Sequence, residues 1–205
     1  MDSTRLEALL DDPQSGVDAI GHYLDGLDGD ARWREVGALG RSRQRTLWEK
    51  AAHAPPIDFA HFVGDAPVRQ EVIHDGVNTL PVLPAIRRFQ KRFSRPAIGA
   101  TERLFGYNEG PTRRLIGPGY FVAIPTASRP AWSARGAVVV DYYQVPDGEV
   151  PKGWPRVRDN HWRLQRFVYG GTRDFMRRVS DHVSIGAAYK GESPLDHYFM
   201  LCRRA

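Results

Sequence analysis

The sequence predicts an α+β fold in which short amino-terminal helices pack on an antiparallel β-meander that closes into a barrel or half-barrel. Three observations carry this. Residues 1 to about 55 place apolar side chains at helical spacing, and from Leu115 onward the period changes to two. Most of the extended segments that follow are joined by connections too short for crossover helices, so consecutive strands must lie side by side.

In chain order, Thr4 and Glu7 have capping-box spacing ahead of Leu9 and Leu10, and Ser15 with Asp18 repeats that arrangement ahead of Ile20, Tyr23, Leu24 and Leu27. A third helical segment carries Trp33 and Val36 and is weakened by Gly37 and Gly40. A fourth, "SRQRTLWEKAA", puts Leu47, Trp48 and Ala51 on one stripe before Pro55-Pro56 stop it. This divides the chain into a helical segment, 1–55, and a barrel-like unit, 56–205, expected to fold cooperatively with it. In the connector, "RQEVIH" reads as a strand and Asp75-Gly76 as a turn. In "RRFQKRF" (87–93), Ile86, Phe89 and Phe93 fall at helical spacing, which predicts a helix with buried aromatics and charges in water, closed by Pro96.

Six segments then read as sequential strands: "YFVAI", "AVVVDYYQV", "HWRLQRFVY", "TRDFMRRV", "HVSIGAAYK" and "HYFMLCRR". Gly170-Gly171 and Ser180-Asp181 are short turns between them, and "KGESPLD" is a longer one. The segments around Arg69–His74 and Arg103–Tyr107 supply one or two more strands, giving seven or eight, enough to close a barrel that is filled by side chains or holds one small ligand. Neither face of "VVVDYY" is plainly polar, which predicts barrel interior on one side and helices on the other. Residues 146–161, with three prolines and two glycines, are long enough to lie over one end as a lid around Trp154.

The ending "FMRRVSDHVSIGAAYKGESPLDHYFMLCRR" resembles the closing strands of lipocalin-like (calycin) barrels, in which a small-residue strand ending in an aromatic precedes a last strand carrying Phe and Arg. The resemblance covers about the last third of the chain and implies a fold and an apolar-ligand cavity, with no catalytic residues. The Gly-X-Trp signature and paired cysteines of lipocalins are missing, and the helical preface is an addition.

Composition narrows the function classes. The 205 residues carry 29 Lys+Arg against 24 Asp+Glu, a net +5 gathered in arginine clusters. Basic residues interleaved with aromatics can hold phosphates while bases stack, as in "RRFQKRF", but a helical reading makes that cluster a solvated face and argues against nucleic acid as a partner. "MDSTRLEALLDD" lacks the basic start and apolar run of a secretion signal, no long apolar run suggests a membrane span, and the single cysteine suits a reducing compartment; a cytoplasmic protein is expected. The seven histidines show no metal-ligand spacing and no cofactor motif occurs, so neither metal nor cofactor is predicted. Gly117-Pro118-Gly119 is followed by strand residues rather than a helix, which makes it a corner at a cavity entrance and not a phosphate loop.

The predicted site is a tyrosine-walled pocket for a small apolar or aromatic ligand, formed by Tyr120, Tyr142 and the lid residue Trp154 and oriented by Asp141, Arg166 and His182. An Arg166–Asp141 pair between neighbouring strands is the purely structural alternative. A second reading makes Asp141, Arg166 and His182 the acid–base groups of a cofactor-independent isomerase, cyclase or hydrolase; no residue is assigned as catalytic. A third uses Arg87, Arg88, Lys91 and Arg92 to bind RNA or a protein. Oligomeric state is not legible in the sequence.

Overall fold

A computed structural model describes residues 4–81, 84–99, 101–162 and 164–204. Eight antiparallel strands run in chain order around a closed barrel: β1 (Val72–Asn78), β2 (Arg88–Ser94), β3 (Leu104–Glu109), β4 (Phe121–Pro125), β5 (Val138–Asp141), β6 (Thr172–Arg178), β7 (Val183–Lys190) and β8 (Ser193–Arg203). Ladders such as His74↔Arg203 and Asp75↔Cys202 between β1 and β8 close the ring and leave no edge strand among the described residues.

Four helices, α1 (Arg5–Asp11), α2 (Val17–Asp25), α3 (Gly29–Gly37) and α4 (Arg41–Lys50), cover one outer flank of the barrel. Leu6, Ile20, Leu24, Val36 and Leu47 are fully buried against outward-facing Val77, Phe175, Ile185, Met200 and Cys202. Each such side chain contributes roughly 1.5–3 kcal/mol on leaving water. The capping box at α1 is present: Glu7 N–H donates to Thr4 Oγ1 at 3.3 Å and Thr4 N–H to Glu7 Oε2 at 3.2 Å. At α2 the predicted repeat fails, because Gly16 is the N-cap and the Ser15 hydroxyl donates back to Asp12 Oδ2 at 2.7 Å. Buried Arg32 crosses from α3 to satisfy the carbonyls of Leu24 and Leu27 at the end of α2. Arg41 and Arg45 of α4 grip Asp196, which adopts a positive φ of 53° in β8.

Four expected elements take different form. Residues 88–94 are strand β2, not a helix, and Asp75-Gly76 lies within β1 rather than at a turn. Gly76 has no side chain because the Phe89 ring occupies that space; a Cβ there would lie 2.7 Å from it. Residues 161–169 do not form a strand either. The partner that such a strand would need on β5 is already taken by β6, through Val139↔Phe175 and Asp141↔Arg173. Instead residues 142–171 leave the barrel and return through a helical turn at Gln165–Val168; Arg163 lies outside the described residues. The β7–β8 connection is also tighter than "KGESPLD" suggests, a two-residue turn at Gly191-Glu192.

One end of the barrel is filled. Helix α5 (Phe59–Val63) inserts Phe62 and Val63 against Phe93, Leu104, Phe121 and Leu201. At mid-barrel, glycines make room for aromatic rings: a Cβ on Gly106 would stand 2.3 Å from Phe121 and 2.4 Å from the Arg92 carbonyl oxygen. Gly106→Ala is therefore expected to lower the unfolding free energy by about 1–3 kcal/mol, since the clashing backbone belongs to a paired strand. Urea denaturation measures this, and an unchanged midpoint would contradict the packing described.

Candidate functional site

The other end is hollow. A cavity of about 530 Å³ opens there, with Phe89, Phe199, Ala188, Tyr142 and Tyr169 on its walls. Its rim is built by Glu109–Arg113, Ile116, Phe167, Val168 and His197. This volume lies within the range of small-molecule sites, about 300–1,000 Å³.

The polar groups at the cavity's inner end come from four strands and their ends. In β2, alternation sends Phe89, Lys91 and Phe93 inward and Arg88, Gln90 and Arg92 outward. Lys91 is thus 1% exposed, with Nζ 3.1 Å from Asp174 Oδ2 on β6 and donating to the Tyr142 hydroxyl at 2.6 Å. The Tyr142 hydroxyl in turn lies 3.1 Å from Asp174 Oδ2 and accepts from Asn108 Nδ2 of β3 at 3.0 Å. Asn108 is fixed by its second bond, to the Gly119 carbonyl at 3.1 Å, and by its backbone N–H, which donates to the Pro118 carbonyl at 2.7 Å. The ring faces of Phe199, Phe121 and Tyr142 stand 4.8, 4.9 and 5.1 Å from the ammonium and offset part of its lost hydration.

Burial dominates the electrostatics of this cluster. Loss of water pushes the Lys91 amine below its ordinary range and the Asp174 carboxyl above its own, each opposed by the other's charge. Burial and then Asp174 push the Tyr142 phenol well up, so it remains a hydrogen-bond donor. The proton between Lys91 and Asp174 is consequently held less firmly by the amine than in water. That is the property acid–base chemistry uses.

Of the residues predicted from sequence, the structure brings only Tyr142 into the cavity. Tyr120 points outward, where its hydroxyl donates to the Pro155 carbonyl and its ring meets Tyr107 and Trp154. Trp154 packs 4.9 Å from Tyr107 and donates to Glu71, so residues 146–161 lie on the outer wall of β3 and β4 and do not cover the mouth. Asp141 faces outward because it alternates with Val140 and Tyr142. It pairs at 3.3 Å with Arg173, not with Arg166. Arg166 is exposed on the helical turn beside the mouth, its guanidinium 4.6 Å from the Phe167 ring. His182 sits in the β6–β7 turn at the filled end, among the charges of Arg32, Arg203, Asp25 and Asp181.

Gly117-Pro118-Gly119 forms a corner beside the cavity mouth. Gly117 and Gly119 have φ of 121° and 53°, and added Cβ atoms would strike Gln165 and Tyr169 within 2.5 Å. Buried Gln165 and Asn160 tie the long 142–171 excursion to this corner through Gly119 N–H, at 2.9 Å, and the Tyr120 and Tyr142 carbonyls. The basic cluster 87–92 does not make one cationic face. Lys91 is inside, Arg92 is paired with Glu71 at 3.0 Å, and Arg88 stands over Trp33 at the rim.

Cys202 is buried beneath the helices, its thiol pushed up to about 11 by burial, which makes it a packing residue. Among the described residues, no three His, Cys, Asp or Glu side chains are grouped as a metal site needs, and no helix is long and apolar enough to cross a membrane.

Lys91, Asp174 and Asn108 were not among the pocket residues read from sequence. Their signal is period-two alternation: Phe89-Lys91-Phe93 and Thr172-Asp174-Met176 each carry one charge on an otherwise apolar or small face. No protein-family model, curated protein or solved structure matches the chain, so the reading of this site rests on its geometry.

Proposed function

We propose that the barrel binds a small ligand with an apolar or aromatic body, whose polar end meets the Lys91–Tyr142–Asp174–Asn108 cluster. One observation carries this reading: a cavity of about 530 Å³ with mostly apolar walls and a few convergent polar groups at its inner end. A barrel that needed only stability would fill that volume, as this one does at its other end around Phe62. The lipocalin-like pattern of the closing strands and a cytoplasmic setting accord with the same reading.

Thermal-shift measurements over a panel of hydrophobic and aromatic ligands test the proposal. Ligand at 100 times its Kd raises the unfolding free energy by about 2.7 kcal/mol through mass action. Ala188 faces the cavity opposite Asp174 in the β6–β7 ladder. Ala188→Trp is expected to abolish ligand-induced stabilisation while the variant still unfolds cooperatively. Full retention of binding would place the ligand elsewhere.

The acid–base cluster also favours a second reading, a cofactor-independent enzyme. In that case Lys91, Asp174 and Tyr142 are the proton-transferring groups, in place of the outward-facing Asp141, Arg166 and His182.

A further inference from the structure

We propose that the pocket captures carbonyl compounds covalently, with Lys91 as the nucleophile that forms an imine with an apolar or aromatic aldehyde or ketone. This rests on the ligand-binding reading above and adds chemistry to it. The position of Lys91 is the first argument. Its amine lies at the inner end of the cavity, ringed by Phe89, Phe121, Tyr142 and Phe199 within 6.0 Å, so a carbonyl on an apolar body would be delivered to it with the body held by the walls.

The second argument is the company it keeps. A buried ion pair is weak support for a fold, because apolar residues of similar volume commonly serve as well or better. Lys91 and Asp174 line the inner end of unfilled space, a place where apolar side chains could pack instead, and with 1% and 9% of their side chains exposed they sit as a largely dehydrated pair directly beneath whatever enters. Imine formation needs a neutral amine, a group that exchanges protons with it, and a donor for the carbonyl oxygen. Asp174 at 3.1 Å and the Tyr142 hydroxyl at 2.6 Å stand in those places, and Asn108 orients the phenol. The ease with which Lys91 gives up its proton in this dry setting supports the same assignment.

The step balances without any oxidant, reductant or further reactant. Asp174 takes a proton from the Lys91 ammonium, and the freed lone pair adds to the carbonyl carbon. The C=O π electrons move to oxygen, which accepts a proton from the Tyr142–Asp174 pair, giving a carbinolamine. The nitrogen, still positively charged from the addition, gives a proton to the Asp174 carboxylate, which passes it to the hydroxyl; water leaves as the C–O bond breaks, and the nitrogen lone pair so freed forms the C=N bond. Ammonium plus carbonyl thus becomes iminium plus water, with the Asp174 carboxylate restored as the counter-ion.

The chain has four lysines, Lys50, Lys91, Lys152 and Lys190, which makes the test selective. The full-length protein is incubated with cinnamaldehyde and sodium cyanoborohydride, and the reduced adduct is mapped by peptide mass spectrometry. Binding of cinnamyl alcohol, which cannot form an imine, is measured in parallel by thermal shift. One adduct per chain is expected, at Lys91 and at least about 100-fold faster than at the other lysines, the scale that positioned proton transfer supplies. Lys91→Arg and Lys91→Met should lose the adduct altogether, whereas the alcohol, which loses only one partner at its polar end, should bind whichever of them folds more weakly than it binds the wild type. Asp174→Asn should slow trapping by more than it weakens alcohol binding, and should shift the pH dependence of trapping, a change that the loss of a binding contact alone does not produce. Binding of the alcohol with no preferential adduct at Lys91 would overturn covalent capture and leave the ligand-binding reading standing. Failure of both compounds to bind, with trapping spread over surface lysines, would overturn both.

Discussion

Asp174→Ala is expected to lower the unfolding free energy by about 3–5 kcal/mol, because it strands the Lys91 ammonium in the barrel without its counter-charge. Lys91 is 1% exposed and its only carboxylate partner among the described residues is Asp174, at 3.1 Å; the Tyr142 hydroxyl and four ring faces cannot replace a full negative charge. The variant's amine has two ways out: to lose its proton, or to draw water down the cavity. Either costs stability relative to the paired state. The double variant Lys91→Met/Asp174→Asn removes both charges, while the amide introduced at position 174 keeps a hydrogen-bonding group beside Tyr142. It is expected to lie closer to the wild type than Asp174→Ala does, although it carries one more substitution. Urea denaturation of the three proteins decides the matter. If the double variant is the less stable, the pair is a net structural contributor and the functional interpretation of its burial weakens.

Acid should weaken the filled end of the barrel through its buried histidines. His74 is wholly buried against Phe62 and Phe93, its Nε2 2.8 Å from the Phe62 carbonyl, and burial holds it down to about 4 against that bond's opposing effect. His61, 6.4 Å away ring to ring, is held well below its usual range first by burial and then by His74, Arg178, Arg203 and His182; its ring nitrogens have no hydrogen-bond partner among the described residues. Both stay neutral in the fold, while in the unfolded chain they take up protons below about pH 6.5. The unfolded state therefore binds more protons between those values, and stability falls as pH drops from about 6.5 towards 4. From His74 alone the loss is on the order of 3 kcal/mol across that interval. His74→Leu should be less stable than wild type at pH 7.5, having lost the bond to Phe62, yet show a visibly shallower decline on acidification. Parallel slopes in the two proteins would show that His74 is not the group responsible.

Much of the architecture is written in local sequence. Helices α1 to α4 follow from the spacing of Leu6, Ile20, Val36 and Leu47 and from the capping groups of Thr4 and Asp28. Strands β4 to β8 follow from alternation and turn residues, and the turn at Ser180-Asp181 is where those residues place it. The exceptions have a common cause. "RRFQKRF" satisfies helical and strand periodicity at once, and pairing on both sides, Phe93↔Val72 and Phe93↔Gly106, decides for the strand. "HWRLQRFVY" has strand composition but no unpaired neighbour to join. Ring closure thus outweighed composition in both places.

The site was less legible than the fold. The sequence by itself determined the helical preface, the antiparallel meander and its capacity to close, because these depend on spacing along a few residues; it placed both Asp141 and Tyr142 in the pocket, although neighbours on a strand face opposite ways. Only the tertiary structure decided that one end is plugged by α5 and the other hollow, that Tyr120, Asp141, Trp154 and His182 stand outside the cavity, and that Lys91 meets Asp174 and Tyr142. Those facts depend on the register between strands up to 83 residues apart, and a one-residue slip in any of them would turn each side chain to the opposite face.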